Sequence, residues 1–132
     1  MKRIPLNALT KAVYTRLSTY QSIPVYDDVP ETAKPPYITF GLFTCKSNGT
    51  KVNDITDVTI NIDIWSDYQG KKEVNTISND VITCLQYARF DLTADEFEHI
   101  DGDIDFFEAF AEDGFGYHGV ITYLAKIRNV GE

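Results

Sequence analysis

The sequence predicts an α+β fold in which two helices cover one face of a mostly antiparallel β-sheet. Residues 57–65 alternate between branched apolar and polar side chains, which is typical of a strand with one buried face. Residues 71–85 carry apolar side chains three and four positions apart, which indicates an amphipathic helix. Similar stretches lie before and after this pair. We therefore predict the element order α-β-β-β-α-β-β in a single domain spanning residues 1–132.

The amino-acid composition and net charge exclude several classes of protein. The chain has 43% hydrophobic and 24% charged residues, which excludes a disordered polypeptide, and 132 residues suit one core. A net charge of −8 predicts no tight binding to nucleic acid. The sequence contains no apolar run of the roughly 20 residues that a membrane helix needs, so we expect no membrane partner. Two cysteines, Cys45 and Cys84, suggest no disulfide framework and a reducing cytoplasm.

The first helix is predicted over residues 6–17, directly after Pro5, because proline is tolerated at a helix start. A short extended piece follows over residues 24–30, and a strand is predicted over residues 37–45. Gly41 inside that strand indicates a bulge or a close approach of another backbone. The first helix and this strand contribute these apolar side chains: Leu6, Leu9, Val13, Leu17, Ile38 and Phe40.

The central strand and the second helix are predicted to supply most of the core, because the helix can fold back over the apolar face of the strand. Cys84 flanks the stripe of that helix, where a small packed thiol is the ordinary explanation. The predicted inward residues are Val58, Ile60, Ile62 and Ile64 on the strand, and Val74, Ile77, Val81, Ile82 and Leu85 on the helix.

The last part of the chain is predicted to form a hairpin. Residues 97–111 are expected to be extended with a kink near Gly102, and residues 117–128 to form the final strand. In the first of these strands, Ile104 and Phe106 alternate with acidic residues and are expected to share one face. One side of the final strand is predicted to carry Ile121, Tyr123, Ala125 and Ile127.

The polar segment 46–55 contains the turn pair Asn48-Gly49 and is longer than a hairpin requires. Two interpretations stay open: a solvated hairpin tip, or an arm that contacts a partner and becomes ordered on assembly. The candidate contact residues are Lys46, Ser47, Asn48, Gly49, Thr50, Lys51, Val52 and Asn53.

Acidic residues are concentrated late in the chain, since no Lys or Arg lies between Arg89 and Lys126. Such a run is most often a solvated edge, but it can also repel DNA or meet a basic partner. We expect Asp101, Asp103 and Asp105 to line a lumen or a solvent face.

These acids, together with Glu112, also match the ligand spacing of a calcium loop. Phe106 stands where that loop requires glycine, and the flanking residues predict strands. The pattern therefore favours carboxylates on the wet face of a strand. We predict no metal site.

Enzymatic function is not favoured by any motif. His99 and His118 are the only histidines, and neither Cys45 nor Cys84 lies in a recognisable nucleophile motif. His118 precedes Gly119 at a strand start, which is typical of a packing or turn position. A small cytoplasmic enzyme that uses carboxylates, such as Asp103, and a generic protein-binding module remain as alternatives.

Several short stretches, in this order, resemble the tail-completion, or tail-to-head joining, proteins of long-tailed bacteriophages and prophages. They are VYDDVP at 25–30, PYITFG at 36–41, IDIWS at 62–66, GKKE at 70–73 and HGVITY at 118–123. No single stretch is diagnostic. Their order and spacing together, over most of the chain, form the resemblance.

The resemblance implies helices packed on a β-sheet and a structural protein of the virion tail, assembled in the bacterial cytoplasm, without cofactor or catalysis. It implies a tail-terminator-like hexameric ring that caps the head-proximal end of the tail tube. The implied partners are further copies of the chain, the tail tube protein and the head connector or stopper, with DNA passing through unbound. A neck or head-completion protein of the same assembly is the nearest alternative.

Overall fold

A computed structural model describes residues 1–131 and shows two helices and a five-stranded sheet. The helices are α1 (Leu6–Tyr20) and α2 (Lys72–Leu85), and a short 3-10 turn (Thr93–Asp95) precedes the fourth strand. The strands are β1 (Val25–Tyr26), β2 (Tyr37–Ser47), β3 (Ile55–Ser66), β4 (Phe97–Glu112) and β5 (Gly116–Asn129).

The sheet has the order β1-β2-β3-β5-β4. β1 runs parallel to β2, and every other neighbouring pair is antiparallel. The predicted α+β class and element order are confirmed. β3 lies at the centre because its alternating side chains can bury one complete face, and all four of its predicted inward residues are fully buried or nearly so.

Both helices lie on the same side of the sheet, which we name the covered face. From α1, the buried residues Leu9, Val13 and Leu17 join the core, as predicted. α1 continues to Tyr20, beyond the predicted end, because exposed polar residues there need no apolar partner. From α2, the predicted stripe is buried except for Ile82, which is partly buried. Within residues 1–131, no helix is long and apolar enough to cross a bilayer.

The opposite side of the sheet carries no helix, and we name it the open face. It is formed by the alternate residues of the strands, such as Asp63 and Trp65 on β3 and His118 and Leu124 on β5. These side chains are half-buried or exposed. The open face is therefore the surface on which strand side chains remain available to a partner.

Three shifts of strand register change which side chains reach the open face. The β2–β3 register shifts between Phe40 and Phe43, which confirms the bulge predicted at Gly41. A Cβ added at Gly41 would collide with the Asp63 carboxylate, so its close neighbour is a side chain and not the backbone named in the alternative prediction.

The β4–β5 register also shifts, between His99 and Asp101 and again between Ile104 and Phe106. The second bulge makes the prediction of a shared face wrong: Ile104 pairs with Tyr123 on the covered face, whereas Phe106 pairs with Thr122 and is exposed. One extra residue in a strand inverts the alternation that follows it.

Candidate functional site

One end of the open face carries a network centred on His118. Trp65 on β3 and His118 on β5 are register partners, and their rings are stacked with centroids 3.8 Å apart and planes inclined by 16°. The indole Nε1 of Trp65 donates a hydrogen bond to Thr39 Oγ1 at 3.0 Å. The stack therefore ties three neighbouring strands together on the surface that no helix covers.

His118 lies between two carboxylates. Its Nε2 is 2.8 Å from Asp63 Oδ1, and its Nδ1 is 3.3 Å from Glu112 Oε2. The two carboxylates approach opposite edges of the imidazole ring, so their oxygens do not converge on one point. No group of three or more His, Cys, Asp or Glu side chains in residues 1–131 is arranged to hold a metal ion. The arrangement fixes the orientation of the ring rather than activating a nucleophile.

Aromatic rings extend this network to the rim of the sheet. Phe115, in the β4–β5 turn, packs edge-on against Trp65 at 5.3 Å and against Tyr37 at 6.3 Å between ring centroids. Phe110 contacts His118 at 5.0 Å and is partly exposed. Aromatic side chains with one exposed side are enriched in protein interfaces. The sequence did not show this site, because its members come from different strands that only the register brings together.

The predicted contact segment forms the hairpin between β2 and β3, which we name the arm (residues 46–55). Strand pairing continues through Lys46 and Ser47, so the connection itself is shorter than predicted and spans residues 48–54. Hydrogen bonds from Asn48 N to Ile55 O and from Thr50 N to Asn53 O, both 2.9 Å, close the turn. The arm is thus hydrogen-bonded within a single chain. Contact with a partner remains a prediction.

The base of the arm is anchored by Asp54. Its carboxylate accepts hydrogen bonds from Asn129 Nδ2 and from Lys2 N, both at 3.1 Å, and it also lies 3.1 Å from the Met1 ammonium group. The bond from Asn129, followed by that from Lys2, lowers the pKa of Asp54 to about 2. At the tip, Lys51 is exposed and Val52 is 90% exposed. The arm therefore presents a cation and an apolar side chain from a fixed base.

The three predicted acidic residues lie along β4, an edge strand of the sheet, and all are exposed. Asp101 is the register partner of Lys126, and Asp103 that of Leu124, whereas Asp105 lies in a bulge without a partner on β5. Asp101 and Asp103 accept hydrogen bonds from the backbone N–H of the residue that follows each of them.

Glu112 lies at the other end of the same strand, where it contacts His118. Eleven extended residues place it on the order of 30 Å from Asp101. The spacing of a calcium loop is therefore present in the sequence without the geometry of such a loop.

The remaining candidates for chemistry are buried. His99 Nδ1 accepts a hydrogen bond from Phe90 N at 3.2 Å, and its Nε2 lies 3.4 Å from the hydroxyl of Tyr123. Burial, aided by the charge of Arg89, lowers the pKa of His99, and burial raises the pKa of Tyr123. Burial also raises the pKa of the Cys84 thiol, which disfavours the reactive thiolate.

One protein family matches most of the chain. The family described as "Tail completion protein gp17" matches residues 8–128, which includes β1 to β4 and α2 completely and all but the terminal residues of α1 and β5. The chain belongs to this family. This tail completion protein is therefore a structural component of a phage-type virion tail, as the sequence resemblance implied.

The fold of the tail completion protein recurs in a solved structure. A chain from "Virion of native gene transfer agent (GTA) particle" has a TM-score of 0.79 and 18% sequence identity, with 93% of this chain and 96% of that chain covered. At this identity, the likeness shows a common fold. A search of curated protein sequences finds no match.

Proposed function

We propose that this tail completion protein caps the head-proximal end of the tail tube as a hexameric ring and joins the tail to the head connector. The observation that carries the proposal is the match of residues 8–128 to a tail completion family. The proposed partners are further copies of the chain, the tail tube protein and the head connector or stopper protein. We propose a structural role without catalysis.

A closed ring requires head-to-tail contacts between two different patches on each subunit. This chain offers two chemically distinct surfaces, the arm with its exposed lysine and valine, and the open face with its carboxylates and aromatic rings. Two such surfaces on one subunit support a ring more readily than a two-fold dimer built on a single patch.

The charge of the chain supports passage of DNA without specific binding. A net charge of −8 repels the phosphate backbone, and the exposed carboxylates of β4 add to this along one edge. We propose that Asp105 faces the lumen or the solvent, because it lies in a bulge at the outer edge of the sheet, whereas Asp101 and Asp103 lie opposite Lys126 and Leu124 of β5.

Deletion of the gene from the phage or prophage that encodes it tests the function. We expect DNA-filled heads and separate tails in electron micrographs, with joining restored when purified wild-type protein is added to the extract. Gold-labelled protein should lie at one end of isolated tail tubes. Label found only on isolated heads would instead support the neck or head-completion alternative, and normal virions without the gene would refute both.

A further inference from the structure

We infer that the arm of one copy docks into an acidic hollow on the open face of the next copy. This inference rests on the ring proposed above and identifies the two surfaces that build it. It assigns Asp101 and Asp103 to a contact between subunits, and it assigns Lys51 and Val52 to the partner side of the same contact.

The hollow lies where β3, β5 and β4 run side by side. It has a volume of about 300 Å³ and is rimmed by Asp57, Asp101, Asp103, Lys126 and the exposed side chain of Leu124. Gly102 and Ala125 are register partners whose backbone lines the floor of the hollow. Their side-chain positions point to the covered face, since Ala125 belongs to the core and a Cβ at Gly102 would meet Tyr123 and His99. The hollow therefore combines an apolar wall with a carboxylate rim.

The rim has an excess of negative charge, because three carboxylates face one ammonium group. None of the ion pairs found within residues 1–131 involves Asp101 or Asp103. Their carboxylates accept only local backbone hydrogen bonds, which leaves lone pairs free for a cation. An incoming lysine beside an apolar side chain would complement both the charge and the apolar wall.

The arm supplies those two groups at adjacent positions. Lys51 and Val52 follow one another at the tip. Lys46 lies within β2 opposite Asp57, beside the hollow of its own chain, and is not part of the docking tip. Scattered exposed valines are ordinary, but this one stands on a turn closed by backbone hydrogen bonds and anchored through Asp54. A hairpin that is already ordered loses little conformational entropy on docking.

A second copy fits these observations better than the chain's own arm. Strand pairing and the bonds of Asp54 to Lys2 and Asn129 hold each arm beside its own N-terminal segment. The base of the arm adjoins the hollow of its own chain, where Asn48 Nδ2 donates a hydrogen bond to Asp57 at 2.7 Å. The tip, with Lys51 and Val52, contains none of the residues that line the hollow, so tip-to-hollow contact between copies is head-to-tail and can close into a ring.

Exchange of charges across the contact tests the inference. We expect Lys51→Glu alone and Asp103→Lys alone each to weaken self-association of the full chain about tenfold or more, since like charges then meet. A mixture of the two variants should regain the wild-type oligomer, because alternating copies restore opposite charges at every contact. The double variant should also regain it. Lys34→Glu and Asp28→Lys make the same charge changes at exposed sites outside both surfaces and should leave the oligomer intact.

A crosslink locates the contact directly. In a Cys45→Ala background, a Val52→Cys chain mixed with a Leu124→Cys chain should form covalent dimers under oxidation, whereas Val52→Cys mixed with Leu42→Cys should not. Light scattering of the wild type distinguishes failure of the arm-to-hollow docking from failure of the ring itself. A wild-type ring that survives both charge reversals, or that lacks the 52–124 crosslink, overturns the docking and leaves the ring standing. A wild type that associates neither with itself nor on tail tubes overturns the ring and the docking together.

Discussion

The imidazole of His118 lies flat on the indole of Trp65, 3.8 Å away between ring centroids, although the two residues belong to widely separated parts of the sequence. The register of β3 with β5 places them opposite each other. Because Trp65 is the only tryptophan, its fluorescence reports on the open face alone. The same pair makes the end of the open face a rigid aromatic surface rather than a set of mobile side chains.

The hydrogen bond between Trp65 and Thr39 should contribute measurably to stability. We expect Trp65→Phe and Thr39→Val to show a coupling free energy of about 0.5–1.5 kcal/mol in a double-mutant cycle, because the first removes the donor of this bond and the second removes its acceptor. The coupling free energy is measured by urea denaturation of the four proteins. Unfolding is followed by far-UV circular dichroism and not by fluorescence, because two of the four proteins lack the tryptophan. Additive effects of the two substitutions would show that the bond is energetically silent.

The centre of the core should be the most sensitive part of the chain to truncation. Ile62 is fully buried on β3. We expect Ile62→Ala to lower the free energy of unfolding by about 2–5 kcal/mol and Ile62→Val by about 0.5–1.5 kcal/mol. Val52→Ala removes methyl groups from an exposed tip, so we expect it to change the free energy of unfolding by less than about 0.5 kcal/mol. Equal losses at positions 62 and 52 would contradict the placement of the core.

His99 should make the protein less stable in weak acid. Its folded-state pKa is lowered below the ordinary value of 6.5, so the unfolded chain binds the proton more readily than the folded chain does. Stability is therefore complete above about pH 7 and falls as the pH drops below 6.5. The lowered pKa comes mainly from burial of the imidazole and from the charge of Arg89. A protonated Nδ1 would in addition be unable to accept the hydrogen bond from Phe90 N.

Comparison of the wild type with His99→Asn isolates this effect. The asparagine oxygen can still accept from Phe90 N, but it does not titrate. Arg89, Asp101 and Tyr123, the charged or titratable groups around His99, remain in both proteins. We expect the wild type to lose more unfolding free energy than the variant between pH 7 and pH 5. Parallel pH profiles would place the acid sensitivity elsewhere.

Asp54 should make a pH-dependent contribution to stability that is lost only in strong acid, below the range in which His99 titrates. Its pKa of about 2 lies below the ordinary value of 3.8, so its contribution to stability is present above pH 3.8 and is lost as the pH falls through 2. Asp54→Asn should be less stable than the wild type at pH 7, with the difference shrinking towards pH 2. Asp28→Asn offers a control with the same chemical change at an exposed acid outside the contacts of Asp54.

The regular parts of the fold could be predicted from the sequence because their side chains repeat with a fixed period. The alternation from Val58 to Ile64 and the stripe from Val74 to Leu85 both identify buried faces, and the structure confirms them. The prediction failed at Phe106, because a bulge adds one residue to β4 and leaves no mark in the hydrophobic pattern. The length of the arm was overestimated, since polar residues such as Lys46 and Ser47 can pair at a sheet edge as well as in a loop.

The sequence by itself determined the α+β class, the buried faces, the acidic charge and the kinship with tail completion proteins, because each is carried by residue type and local spacing. Only the tertiary structure decided which surfaces those residues form. Strand register brought His118 onto Trp65 and between Asp63 and Glu112, and it set Asp101 and Asp103 around the hollow beside Leu124. Register depends on pairing between distant segments, and no local pattern along the chain encodes it.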